Sequence, residues 1–240
     1  MLNTRKLASF ALSLAVLALP ALHGTAFASG ACCSVSGGDP KRLTLTLVGA
    51  SAMNHEAIGA DTYELSQQAL LLKLGKPVGR GFVLQAQIGL PTTTELSHEQ
   101  MELSGRGGLI YGAGIGYKLP RFLDPVDLSV SASFSRSLGY LDKDMAGTID
   151  QSFHINEFQL LFISETALTA KTALYAGLRA YSGKNQLKDD STGAKTNGDQ
   201  EGSLAGLAGI RYYLAEKISL VADAGFGHTR VIGLGAVFSF

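Results

Sequence analysis

The stretch that decides the fold is Val231-Ile232-Gly233-Leu234-Gly235-Ala236-Val237-Phe238-Ser239-Phe240. Side chains of an extended chain point alternately to opposite faces. Ile232, Leu234, Ala236, Phe238 and Phe240 therefore share one face, and Val231, Gly233, Gly235, Val237 and Ser239 share the other. The first face is continuously apolar; the second is smaller and less apolar. This two-residue rhythm recurs backward through the chain.

From Arg42 to Ser51, Leu43, Leu45, Leu47 and Gly49 oppose Thr44, Thr46 and Val48. From Gly81 to Pro91, Phe82, Leu84, Ala86, Ile88 and Leu90 oppose Val83, Gln85, Gln87 and Gly89. Gly108 to Leu119 sets Leu109, Tyr111, Ile115 and Tyr117 against Ile110, Gly112, Gly114 and Gly116. Leu128 to Leu138 carries the clearest row, Ser129, Ser131, Ser133, Ser135 and Ser137, opposite Leu128, Val130, Ala132 and Phe134. Segments 172–181, 203–213 and 218–227 alternate as well. Glu64–Leu74 and Phe153–Ile163 alternate with a fault, because Tyr63 and Leu65, and likewise Ile155 against Phe158, fall out of phase. A β-bulge in each would restore one face; helix propensity offers the other reading. With the terminal strand, these make ten segments.

The connections alternate between short (75–80, 165–171, 214–216) and long (52–62, 91–107, 141–152, 182–202). Such alternation belongs to barrels with tight turns on one side of a membrane and loops on the other. The other end of the chain agrees. Arg5 and Lys6 precede an apolar run from Leu7 to Leu22, and Ala26-Phe27-Ala28 supplies small residues for cleavage. This is the layout of a secretory signal peptide over residues 1–28, followed by a periplasmic tail over 29–41.

Composition narrows the function. Lys plus Arg and Asp plus Glu both number 20, with no basic block, which argues against nucleic-acid binding. Cys32 and Cys33 are adjacent and cannot staple distant parts of the chain; Ser29-Gly30-Ala31-Cys32 lacks the aliphatic residue of a lipobox. His98, Glu99 and Glu102 do not have metal-ligand spacing, so neither a metal nor a cofactor is expected.

The alternation, the loop lengths and the Phe238/Phe240 ending together resemble the small outer-membrane β-barrels of the OmpA/OmpX-like group. The resemblance implies a closed antiparallel up-and-down transmembrane barrel over residues 42–240, with ten strands, or eight as the alternative. It implies the bacterial outer membrane, with lipid and lipopolysaccharide as surroundings. It also implies that Phe238 and Phe240 are read by the barrel assembly machinery and close the wall. Aromatic girdles are expected from Phe82, Tyr117, Phe122, Tyr212, Phe238 and Phe240 at the periplasmic rim. Phe134, Tyr140, Phe153, Tyr181 and Phe226 would form the outer one.

If the leucine faces meet lipid, the lumen receives Lys118, Glu157, Arg179, Arg211 and Asp223. These would form either an internal ion-pair network in a filled barrel or a charged constriction. Arg136 falls on the lipid face, where the outer rim would put it near lipopolysaccharide phosphate; a bulge would turn it inward. Three functions follow: a structural or surface-interaction barrel acting through its outer loops, a narrow porin, or a hydrolase of omptin or lipid A deacylase type. The histidines His98, His154 and His228 sit near the outer rim in this topology, but no motif of such enzymes is present, and a non-enzymatic protein is expected.

Overall fold

The computed structural model describes residues 42–59, 61–98, 101–120, 125–142, 149–227 and 230–240; the signal segment, the tail with Cys32 and Cys33, Phe122, Asp144 and His228 lie outside them. Strands run β1 (Thr44–Ile58), β2 (Asp61–Gly79), β3 (Phe82–His98), β4 (Met101–Gly105), β5 (Gly108–Lys118), β6 (Val126–Asp142), β7 (Ile149–Ala167), β8 (Thr172–Asp189), β9 (Lys195–Ala215), β10 (Ile218–Gly227) and β11 (Arg230–Ser239). Every neighbouring pair is antiparallel, and β1 pairs with both β2 and β11, so the sheet closes on itself. β4 and β5 both lie against β3 and are two halves of one wall strand. The chain breaks between them where Gly107 and Gly108 take φ of 81° and 132°. A Cβ on Gly108 would stand 2.0 Å from the Leu138 carbonyl oxygen, so glycine is required there. The wall is a ten-strand barrel. Thr44 faces Ser239 across the seam, and the Phe240 amide donates to the Leu43 carbonyl at 2.9 Å.

The alternation sorts as expected over most of the wall. Leu72, Ile88, Phe134, Leu220, Ile232 and Leu234 stand outside, the last two 67% and 65% exposed, while Thr44, Thr46 and four of the five serines from Ser129 to Ser137 are buried inside. A closed wall with a leucine-rich exterior and a hydrogen-bonded backbone throughout is what hydrocarbon demands of a β-structure.

Three expectations are corrected. Glu64–Leu74 and Phe153–Ile163 contain no bulge and no helix. Each is an unbroken strand of single phase, with Tyr63, Leu65, Leu71, Phe153, Ile155 and Leu161 pointing inward. The phase fault came from an interior that is itself apolar. The irregularity lies instead on β3, where Gln68 pairs Thr93 and Ala69 pairs Pro91, leaving Thr92 over.

The second correction concerns the long loops. Segment 182–202 is mostly hairpin, since β8 runs to Asp189 and β9 begins at Lys195; 52–62 and 91–107 are likewise largely strand. β2, β7 and β9 hold 19, 19 and 21 residues. A tilted bilayer crossing takes about 9–11. Only β5, β10 and β11, at 11, 10 and 10 residues, match the membrane alone, and β4 carries the β5 wall strand further. The others continue past the outer leaflet as a stalk of sheet. Above the short β10–β11 connection, the Gly59 amide donates to the Asn197 carbonyl at 3.1 Å, tying the β1–β2 turn to β9.

That stalk has its own core. Ile58, Tyr63, Leu65, Leu96, Leu103, Leu141, Phe153 and Ile155 form one buried cluster, with Leu187 packed against it. Phe153 is therefore core and not girdle, and Tyr181 is buried inside as well. Phe134, Tyr140 and Phe226 are exposed outside at the outer end, and Phe82 and Tyr117 pack 4.5 Å apart at the inner end.

Candidate functional site: the filled lumen and the outer polar face

The lumen below the stalk is occupied by side chains. Val48, Ala52, Ala69, Leu71, Ile110, Val221, Val231 and Val237 fill part of it. The five sequence-chosen charged residues all belong to lumen-facing rows, but they do not form one network. Lys118 pairs with Asp127 at 3.0 Å at the periplasmic mouth. Arg211 meets Glu165 at 3.4 Å and donates to the Ser219 hydroxyl at 3.4 Å. Asp223 accepts from the Tyr175 hydroxyl at 3.1 Å. Arg179 lies over the Tyr181 ring, 4.5 Å from its centre, a cation–π contact in a water-poor site. Its guanidinium is the electrostatic partner of the fully buried Glu157 carboxylate two rows above.

Three partners escaped the sequence reading. Asp127 and Glu165 lay beyond the segment ends set by alternation, since the strands continue to Val126 and Ala167. Lys73 is buried in the lumen between the outward Leu72 and Leu74, and the parity of those leucines would have found it. Close packing also explains Gly209: a Cβ there would stand 2.5 Å from the Tyr175 hydroxyl and 2.6 Å from the Ala222 carbonyl.

Outside, the apolar belt gives way to polar groups above Phe158 on β7, while β6 keeps Leu138 and Tyr140 above Arg136. On β6 and β7 the facing pair Phe134 and Phe158 is followed by Arg136 and Asn156, then Leu138 and His154, then Tyr140 and Ser152. Arg136 points outward, as parity requires, and no bulge turns it in. Its Nη2 lies 3.3 Å from His154 Nδ1, and His154 Nε2 lies 3.4 Å from the Ser152 hydroxyl. A guanidinium only donates, so Nδ1 accepts and the neutral ring carries its hydrogen on Nε2. That hydrogen faces Ser152, whereas a serine nucleophile needs an unprotonated ring nitrogen to take its own. A second histidine at the outer end, His98, has Nδ1 2.8 Å from the Thr62 carbonyl and Nε2 3.9 Å from Asp61. Among the described residues no group of three metal-ligating side chains comes together.

No family model matches this chain, and no curated protein does. Solved structures do. The translocator domain of the autotransporter NalP from Neisseria meningitidis superposes with a TM-score of 0.51 at 15% identity, covering 85% of this chain and 90% of that one. The outer membrane protease OmpT from Escherichia coli gives 0.50 at 8% identity, covering 84% and 97%. The fold is that of the small outer-membrane β-barrels. At these identities the likeness concerns architecture alone. The leucine-covered exterior of a closed wall makes the protein an integral barrel of the bacterial outer membrane.

Proposed function

We propose that this barrel is a non-conducting, non-enzymatic surface protein, whose work is done by the sheet stalk that its long strands raise above the outer leaflet. The observation that carries this reading is the apolar core inside the stalk. Eight buried side chains, from Ile58 to Ile155, stand where a channel would need its outer mouth. A wet pore through that cluster would have to displace side chains each worth about 1.5–3 kcal/mol of burial. Eight-strand barrels have interiors just filled by side chains, and ten strands lie close to that end. The valines and Leu71 lower down, together with the local contacts Lys118–Asp127, Arg211–Glu165 and Tyr175–Asp223, fit a filled interior better than a selective ring. The polarity of the Arg136–His154–Ser152 chain speaks against a serine hydrolase on the lipid face.

The outer hairpins are the surface offered to partners. The turn after Asp189 is rigid, since its carboxylate accepts from the amides of Ser191 and Thr192 and from the Ser191 hydroxyl. Planar-bilayer recording of the purified full-length protein tests the reading. Silence at moderate voltage is expected, and discrete, reproducible single-channel steps would replace it with the narrow-porin reading.

A further inference from the structure

We infer that the outward face of β6, β7 and β8 just above the apolar belt is a binding site for a phosphate group of outer-leaflet lipopolysaccharide, centred on Arg136 and flanked by His154 and Lys188. Arg136 stands one register row above the half-exposed Phe134 and Phe158, where the outward row of β7 turns from Phe158 to Asn156, His154 and Ser152. An arginine facing lipid is strongly disfavoured at the midplane and tolerated at the interface, so its place among polar neighbours puts it among headgroups.

Its surroundings leave it a charge without an opposite charge. Among the described residues the one hydrogen-bond partner of Arg136 is the His154 ring, and its Nε is buried without a partner. The nearby carboxylate, Asp190, is engaged elsewhere: it accepts from Lys188 Nζ at 2.5 Å and from the Ser152 hydroxyl at 3.4 Å. Asp190 thus anchors Lys188 beside Ser152 and does not neutralise the guanidinium. The His154 contact holds the guanidinium in place. Arginine matches a phosphate bidentately, and the flanking ammonium adds charge without further geometry. The exposed Tyr140, facing Ser152 across the strand pair, offers an amphipathic flank to the sugar. The inference does not rest on the stalk being closed, because the site lies wholly on the exterior.

The test uses the full-length barrel in nanodiscs loaded with lipopolysaccharide, with retained molecules counted by native mass spectrometry. Arg136→Gln should lower retention about tenfold, as expected for loss of one charge-assisted contact, and Lys188→Gln by a smaller factor. Asp190→Asn should raise retention, because it releases Lys188 from its carboxylate. Dephosphorylated lipopolysaccharide should bind wild type and Arg136→Gln alike, and millimolar inorganic phosphate should leave retention unchanged, which separates the lipid-borne group from the free ion. Heat-modifiable gel migration in nanodiscs lacking lipopolysaccharide reports whether each variant folds; should Arg136→Gln not fold, Lys188→Gln and Asp190→Asn, in opposite directions, still decide. Equal retention across folded variants, or equal wild-type affinity for the dephosphorylated lipid, would overturn the assignment. Neither result would touch the conductance test of the stalk.

Discussion

Leu71 and Leu72 are neighbours on β2 with opposite fates, and replacing each in turn separates lipid from lumen. Leu72 is 41% exposed and sits midway along the outward row Leu70–Leu72–Leu74, paired across to Leu47 and Ile88. Leu72→Arg places a guanidinium near the bilayer midplane at a cost of about 2–4 kcal/mol. That is roughly a 30- to 900-fold fall in the folding constant. On a water-facing sheet the same change would stay within about 0.5 kcal/mol. Gln68→Arg, two positions above Leu70 on the same row, lies near the interface and should cost at most about 1 kcal/mol. Leu71 is 1% exposed and its Cδ2 lies over Gly89, 2.3 Å from where a Cβ would be. Leu71→Ala opens a cavity in a packed interior and should cost about 2–5 kcal/mol. Urea titration of the variants in unilamellar vesicles, read by gel mobility, yields all three numbers. If Leu72→Arg and Gln68→Arg agree within about 0.5 kcal/mol, hydrocarbon does not contact this face and the reasoning fails.

Other outcomes follow from the interior and the turns. Gly209→Ala should destabilise the barrel by about 1–3 kcal/mol, because the added methyl collides with the Tyr175 ring that donates to Asp223; the same urea titration measures it. Glu157→Leu and Arg179→Met should each cost about 3–5 kcal/mol alone, while the double variant recovers most of the loss, a sign that a double-mutant cycle resolves. At the β8–β9 turn, beyond the bilayer, hydrogen bonds from Ser191 and Thr192 hold the Asp189 carboxyl down to about 2. A depressed carboxyl stabilises the turn above its ordinary range, and the contribution fades as pH falls toward 2. The protection factors of the Ser191 and Thr192 amides, exchange rates divided into those of an unstructured peptide at the same pH, should therefore be high at pH 5 and low near pH 2, and Asp189→Asn should flatten that dependence.

The barrel was legible because its membrane zone obeys a single rule: outward leucines against small or polar inward residues. The serine row of β6 and the glycine row of β5 announced their faces directly. The rule failed where the environment changed. Above the outer leaflet the interior becomes apolar, so Tyr63, Leu65, Phe153 and Ile155 looked misphased while pointing inward like their neighbours. Hydrophobicity marks contact with a dry surrounding and does not say whether that surrounding is lipid or core. The same blindness placed Phe153 and Tyr181 in a girdle. Polar character likewise made 182–202 read as a loop, although outward-facing residues of a hairpin in water are polar for the same reason. The lumen charges were identifiable from parity, but their partners Asp127 and Glu165 required strand ends that alternation does not define. The Arg136–His154 contact needed the β6–β7 register, which no pattern within either strand contains.

The chain contains no tryptophan, so one introduced indole reports one place without background. Phe158→Trp and Phe153→Trp, measured separately in bilayers of acyl-brominated lipid and then with aqueous iodide, test the division between lipid-facing wall and closed stalk most directly. The account predicts strong bromine quenching at position 158, and at position 153 shielding from both bromine and iodide. Bromine quenching at 153 would put that side chain outside, and efficient iodide quenching there would mean that water fills the mouth of the barrel.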